Sequence, residues 1–267
     1  MPDKISLLFL GDVIGRPGRQ VLDKFLPSLI ERLAPTVVIA NGENAAGGAG
    51  MTIKVARELF ARVDVLTSGN HIWDKREVLE FLDKEAHLLR PANYPAVNPG
   101  KGACLFEADN GVKVGVLSLQ GRVFMEPIDC PFRTADKELE ALKAVTPVVF
   151  VDLHAEATSE KQAMGWYLDG RVSAVIGTHT HVPTADEKIL PKGTAYISDV
   201  GMVGGYHAVI GINKEAGVAR FLTSRSQRFE PSKEGAILSS VFITVDSRSG
   251  KALSIRREMI IDEDNGL

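Results

Sequence analysis

The sequence predicts an α/β fold built on a parallel sheet with helices on its faces. Apolar runs of strand length alternate three times with segments of helical periodicity. Each run also ends in a polar loop, most of them rich in glycine, which is where such sheets bind ligands.

Ile5 to Leu10 is a continuous apolar run, the mark of a strand buried on both faces. Gly11 to Gly18, with Pro17, is a loop. From Arg19 to Leu33 the residues Val21, Leu22, Phe25, Leu26, Leu29, Ile30 and Leu33 recur at helical spacing, and Pro35 stops the helix. Thr36 to Ala40 is a second strand, followed by the loop NGENAAGGAG, and Met51 to Ala61 is a helix. Val63 to Leu66 is a third strand, then SGNHIWD, then a helix over Lys75 to Leu82. Ala103 to Ala108 and Lys113 to Leu119 form a hairpin around Asn110-Gly111. Pro147 to Leu153 is an apolar strand running into Asp152 and His154. Ser159 to Leu168 is a helix, and Val172 to Ile176 is a strand leading into GTHTH. Ala236 to Val245 and Ala252 to Ile261 close the fold as an antiparallel pair. No repeat, low-complexity tract or linker divides the chain, so residues 1–267 are read as one domain.

Composition excludes several classes. Lys+Arg total 31 and Asp+Glu 34, a net charge of -3 with no strongly basic stretch, which does not favour broad nucleic-acid or membrane binding. Cys104 and Cys130 are too few for a disulfide framework and lack metal-ligand spacing. The apolar run before Gly11 is too short for a signal peptide or a membrane span, so a cytoplasmic protein is expected.

The chemistry sits at the strand ends. Asp12 follows the first strand, Glu43 and Asn44 the second, Asn70 and His71 the third; His154 ends a later strand, and His179 and His181 end the next. Singly, Asp12 reads equally as a helix cap, GENAAGG as a plain turn and His154 as a structural histidine. Together, on one sheet edge, they form a set of oxygen and imidazole donors suited to Mn, Fe or Zn. Leaving His71 aside, the seven donors Asp12, Glu43, Asn44, Asn70, His154, His179 and His181 exceed the three or four of one zinc site, and one bridging carboxylate gives each of two ions about four ligands. On extended backbone, His179 and His181 point the same way. Asp74 is read as a helix N-cap before an orienting partner of His71. His87 is read as a solvated residue or a helix-dipole partner. Arg122 and His207 are open candidates for the pocket.

GDVIG, GEN, GNH, a lone histidine and GTHTH, in this order, resemble the five blocks of the calcineurin-like metallophosphoesterases. Gly121 to Met125, Cys130 to Phe132 and Ser198 to Gly204 are similar to the bacterial branch described as 2′,3′-cyclic-nucleotide 2′-phosphodiesterases. The resemblance spans nearly the whole chain. It implies a four-layer α/β/β/α metallophosphoesterase sandwich with two mixed sheets. It assigns Asp12 and His181 to a first metal, Glu43 to the bridge, Asn70, His154 and His179 to a second metal, and His71 to the substrate phosphate. The first block departs from Asp-x-His, because Ile14 stands at the histidine position and cannot ligate; Asn44 supplies the replacement oxygen. Glu43 stands where the family usually has Asp.

The cofactors so implied are two divalent or mixed-valence metal ions. The oxygen-rich first site favours Fe or Mn, with Zn the other choice. The expected reaction is hydrolysis of a 2′,3′-cyclic nucleotide or similar small phosphodiester by a two-metal-activated hydroxide, with His71 as leaving-group acid. A phosphomonoesterase shares the same ligands, and a regulatory metal-binding protein that senses a nucleotide is the reading from another class. The expected partner is a small phosphoester or nucleotide; RNA is not indicated by the charge, no membrane is expected, and a symmetric homo-oligomer is the ordinary prior.

Overall fold

The structure is a computed structural model that describes residues 3–263; the outer ends of the 1–267 domain reading lie outside it. The chain runs β1 (Lys4–Leu10), β2 (Asp12–Val13), α1 (Gly15–Leu33), β3 (Val37–Asn41), α2 (Ile53–Phe60) and β4 (Val65–Thr67). A 3-10 turn over Asn70–Asp74 leads to α3 (Val78–Leu82), β5 (Ala103–Glu107), β6 (Lys113–Gln120), α4 (Pro131–Lys143), β7 (Val149–His154) and α5 (Thr158–Leu168). Then come β8 (Ala174–Thr178), β9 (Lys188–Ile189), β10 (Ala195–Ile197), β11 (Met202–Gly204), α6 (Lys214–Thr223), β12 (Ala236–Asp246) and β13 (Ala252–Asp262).

Two mixed sheets result. In the first, β1, β3 and β4 are parallel neighbours, β12 joins β1 antiparallel, and β2, β11 and β13 complete it. In the second, β6, β7, β8 and β10 are parallel, with β5 and β9 antiparallel at the edges.

Side-chain alternation explains how the sheets stack. In β1, Ile5, Leu7 and Phe9 face the second sheet, meeting Val114, Val116, Phe150 and Ile176. Leu8 and Leu10 face the other way, against Leu22, Leu26 and Leu29 of α1 and Val55 and Leu59 of α2. In β7, Val149, Val151 and Leu153 pack under Leu139 of α4 and Met164 and Leu168 of α5. Strands covered on both faces read as mostly apolar runs, which is why β1 and β7 stand out in the sequence despite Ser6 and Asp152. The layers are helices, sheet, sheet, helices, as the four-layer sandwich requires. Period-two alternation puts Asp152 and His154 on the same face of β7 as Phe150, between the sheets and at the carboxyl end.

The hairpin and the closing β12–β13 pair lie where expected. Helix α1 starts at Gly15, so the first loop is shorter than its glycines suggest, and Asp12–Val13 pairs in parallel with β11. His87 is neither solvated nor at a helix end: it is half-buried, edge-on to Phe106 with ring centroids 5.3 Å apart.

Phe150 is fully buried, its ring 4.8 Å from that of Phe9. Phe150→Ala is expected to lower unfolding free energy by about 3–5 kcal/mol in urea titration. A loss under about 1 kcal/mol would show that the sheets do not pack through this contact.

Candidate metal centre

The carboxyl ends of β1, β3, β4, β7 and β8 meet at one edge of the inter-sheet layer. Donor atoms of Glu43, His154 and His179 lie within 4.8 Å of one another, and so do those of Asp12, Glu43 and His181. Glu43 is common to both groups. Asn70 joins the first, its Oδ1 standing 3.2 Å from His154 Nε2. Asn44 Oδ1 is buried beside Glu43 with no hydrogen-bond partner, while its Nδ2 donates to the Gly48 carbonyl at 3.1 Å.

The approach is close because two glycines permit it. A Cβ on Gly69 would lie 2.1 Å from His154 Cδ2 and 2.4 Å from Glu43 Oε2. A Cβ on Gly11, just before Asp12, would lie 2.0 Å from the Gly201 carbonyl oxygen.

His179 and His181 are not on extended backbone. Their φ angles are 100° and 65°, and β8 ends at Thr178. The left-handed turn sends the two imidazoles to different donor groups rather than the same way. Thr180, between them, is tied down: its N–H and hydroxyl donate to Asp199 Oδ2 at 3.1 and 2.8 Å, and the same oxygen accepts from buried Lys161 at 2.7 Å. A backbone in this strained region persists only when its surroundings hold it.

Each histidine has one nitrogen committed and one aimed inward, an assignment that follows from the partners. His154 Nδ1 donates to Thr178 Oγ1 at 3.0 Å, because that hydroxyl itself donates to Asp152 Oδ1 at 2.7 Å. His179 Nε2 is 3.2 Å from Glu156 Oε2, and His181 Nδ1 donates to the Ile210 carbonyl at 2.8 Å. The inward His154 Nε2 and His179 Nδ1 then face each other at 2.9 Å. Below them Asp152 is fully buried and also accepts from Thr67 Oγ1 at 2.5 Å and Asn41 Nδ2 at 3.0 Å.

These residues fit a cation centre. Asp12 Oδ1, Glu43 Oε1 and Asn44 Oδ1 are buried acceptors without hydrogen-bond partners, a costly state unless an ion completes them. Glu43 Oε1 is 3.0 Å from His154 Nε2, near enough for an ion pair but without hydrogen-bond geometry. Burial pushes the Asp12 carboxyl up to about 7 despite His181 and His154 beside it. Burial works against the charge on Glu43 and His154 alike, yet their mutual attraction wins. It holds Glu43 well below the usual carboxylate range and lifts His154 to about 9. Burial, with His154 beside it, drops His179 to about 3. All three donor types suit a borderline or hard divalent ion.

His71 stands apart. Its N–H donates to Glu43 Oε2 at 3.2 Å, but its ring turns outward, with Nδ1 2.9 Å from Asp74 Oδ2. Asp74 is therefore the orienting partner of His71 and not a helix cap. Ile14 packs with Met202, Ile237 and Tyr206 in place of ligating. His207 packs against Tyr206, outside both donor groups.

Gly69, Asp152, Thr178, Asp199 and Lys161 carry the site, and sequence reasoning does not single them out as functional. Asp152, at a strand end, is the one that leaves a readable signal. The others become visible only through burial and contact.

The model of a family described as YmdB-like protein matches residues 8–258. A curated Bacillus subtilis (strain 168) protein named 2′,3′-cyclic-nucleotide 2′-phosphodiesterase is 48% identical over 97% of this chain and 98% of its own. A Mycoplasma pneumoniae structure described as a novel phosphatase superposes with a TM-score of 0.92 at 37% identity, covering 99% and 96% of the two chains. A Thermus thermophilus structure described as a hypothetical protein gives 0.90 at 43% identity, covering 97% and 100%.

Proposed function

Because the chain belongs to the YmdB-like family, we propose that it is a metal-dependent phosphodiesterase that hydrolyses 2′,3′-cyclic nucleotides or similar small diesters. The observation that supports this most is the set of inward-facing donors: buried unpartnered oxygens of Asp12, Glu43 and Asn44, and imidazole nitrogens whose outer partners are already engaged. In this reading Asp12, Glu43, Asn44 and His181 hold one ion, and Glu43, Asn70, His154 and His179 hold another. Fe or Mn suits the oxygen-rich set better than Zn. Bound there, two divalent ions supply Lewis acidity, neutralising phosphate oxygens and making water a better nucleophile.

The chain's own residues do the rest. The Glu43 carboxylate accepts the His71 N–H, which sets the start of the 3-10 turn against the donor groups. Asp74 holds His71 Nδ1–H, so the ring presents Nε2 outward. Water adds to phosphorus and gives up a proton, the bond from phosphorus to O2′ breaks, His71 Nε2–H delivers its proton to that leaving oxygen, and the ring then regains a proton from solvent in place of the one the water released. The Asp74 carboxylate holds the ring in place for the transfer. Asp152, through Thr178, keeps His154 in the tautomer whose Nε2 lone pair faces inward. The reading places the enzyme in the cytoplasm, and among the described residues no helix is long and apolar enough to cross a membrane.

Protons and metal compete for the same atoms. With His154 lifted to about 9 and Asp12 to about 7, the metal-free site holds protons at neutral pH. Mn²⁺ loading at pH 7 is therefore expected to release roughly one to two protons per chain, and affinity should rise with pH toward 9. Calorimetry in buffers of different ionisation enthalpy reads this, and loading without proton release would contradict the ligand set.

The function itself is tested by a substrate panel of 2′,3′-cyclic AMP, bis-p-nitrophenyl phosphate and p-nitrophenyl phosphate with Mn²⁺ or Fe²⁺ supplied. Turnover of the diesters, with 3′-AMP formed from the cyclic nucleotide, is expected. Turnover of the monoester alone would make it a phosphomonoesterase, and none at all in metal-loaded protein would favour a nucleotide sensor.

A further inference from the structure

A cavity of about 680 Å³ at the amino end of α4 is lined by Arg90, Lys101, Arg122, Arg133 and Lys137. Two carboxylates, Asp129 and Glu138, also line it, leaving three uncompensated positive charges on a chain whose net charge is -3. None of the five cations has a carboxylate within ion-pair distance among the described residues. Solvated surface cations cost little, but Arg90 is only 6% exposed. Its Nε and Nη1 donate to the carbonyls of Pro99 and Pro91, and Glu138 of the same cavity offsets its charge from beyond ion-pair distance. Burial accordingly works against that charge.

The backbone adds to the same field. The amino end of α4 opens on the cavity through Cys130, Arg133 and Thr134. Cys130 makes no side-chain cap, and no acidic residue occupies the first turn. The first turn itself carries no carboxylate, although Asp129 directly precedes Cys130 and lines the cavity, so the helix start favours an anion through its N–H groups and the flanking cations.

The cavity is joined to the metal centre. Gln120 pairs with His154 across β6 and β7, and the Gly121 N–H donates to the His154 carbonyl at 3.0 Å. Gln120 is fully buried; its Oε1 accepts from Tyr94 in the cavity wall at 3.0 Å, while its Nε2 has no partner. Arg122 follows two residues later, just past the end of β6. Its backbone is fixed, because the N–H groups of Arg122 and Val123 both donate to buried Glu160 at 3.1 Å. On the other side Tyr94 packs edge-on to Trp73, two residues past His71, with ring centroids 5.1 Å apart.

We propose that this cavity binds a second phosphate of the substrate, carried on the far side of the nucleoside from the ester that is cleaved. The inference rests on the phosphodiesterase reading above and deepens it: the preferred substrate is a 2′,3′-cyclic nucleotide that also bears a 5′-phosphate. Four exposed cations gathered in a concavity around buried Arg90 attract such a group more strongly than scattered surface charge does.

The test compares 2′,3′-cyclic AMP with its 5′-phosphorylated form, using the Mn²⁺-loaded full chain and the double variant Arg133→Ala/Lys137→Ala. Both side chains are exposed on α4, so the variant keeps its fold. In wild type the added phosphate is expected to raise kcat/KM about tenfold, and in the variant that ratio falls toward one. The wild-type preference should also shrink at high salt. Equal kcat/KM for the two substrates in wild type, or a preference untouched by the double variant, would overturn the site. Equilibrium binding of the same two nucleotides decides the matter without turnover. If the loaded protein hydrolyses neither, the phosphodiesterase reading fails, while tighter binding of the 5′-phosphorylated form by wild type alone still establishes the second-phosphate site, and equal binding refutes it.

Discussion

His71→Ala is expected to keep its bound metal and lose about 10²–10⁴-fold in kcat on 2′,3′-cyclic AMP. The His71 side chain meets Asp74, not the donor groups; only its backbone N–H touches Glu43, and alanine retains that contact. The loss should depend on the leaving group. A ribose alkoxide needs a proton as it departs, whereas p-nitrophenolate does not, so the variant should be far less impaired on bis-p-nitrophenyl phosphate. Equal losses on both substrates would mean that His71 stabilises the phosphate rather than protonating the leaving oxygen. Loss of metal in the variant would make His71 a ligand and sink the assignment.

Glu43→Ala is expected to remove both ions together and take activity to background. Glu43 is the one residue shared by the two donor groups, and it is 1% exposed. Its removal also strips His154 of the carboxylate that lifts its pKa. The fall in affinity should exceed the 10–100-fold typical of losing an outer partner of a ligand. Metal analysis after dialysis reads the outcome directly. Retention of one ion per chain would show that the carboxylate belongs to a single site and does not bridge.

Much of this architecture is legible in the sequence because burial on both faces leaves a plain trace. β1, β3 and β7 are mostly apolar runs, interrupted by Ser6 in β1 and Asp152 in β7, and each delivers a polar donor at its carboxyl end. What escapes has physical causes. β9, β10 and β11 are two or three residues long, too short for any period to show. Helix α6 buries only Gly217, so it has no apolar stripe to find. Helix α4 does bury Ala135, Leu139 and Leu142, but charged residues dilute that face.

The donor set is readable for a similar reason: strand ends are fixed by topology, and residue type then limits the chemistry. Backbone strain is not. Nothing in GTHTH marks His179 and His181 as left-handed, because that conformation is imposed by Asp199 from about twenty residues away, itself anchored by Lys161. The tautomer of His154 is likewise set by Asp152 and Thr178, residue types too common to carry a signal until burial places them. An aspartate before a helix is more often a cap, which is how Asp74 reads in the sequence; here the 3-10 turn brings it back onto His71.

The most direct test of the two-ion centre is anomalous diffraction from crystals of Mn²⁺-loaded protein. Two peaks are expected, one among Asp12, Glu43, Asn44 and His181 and the other among Glu43, Asn70, His154 and His179, with Glu43 contacting both. A single peak, or peaks away from these residues in fully loaded and active protein, would contradict the account.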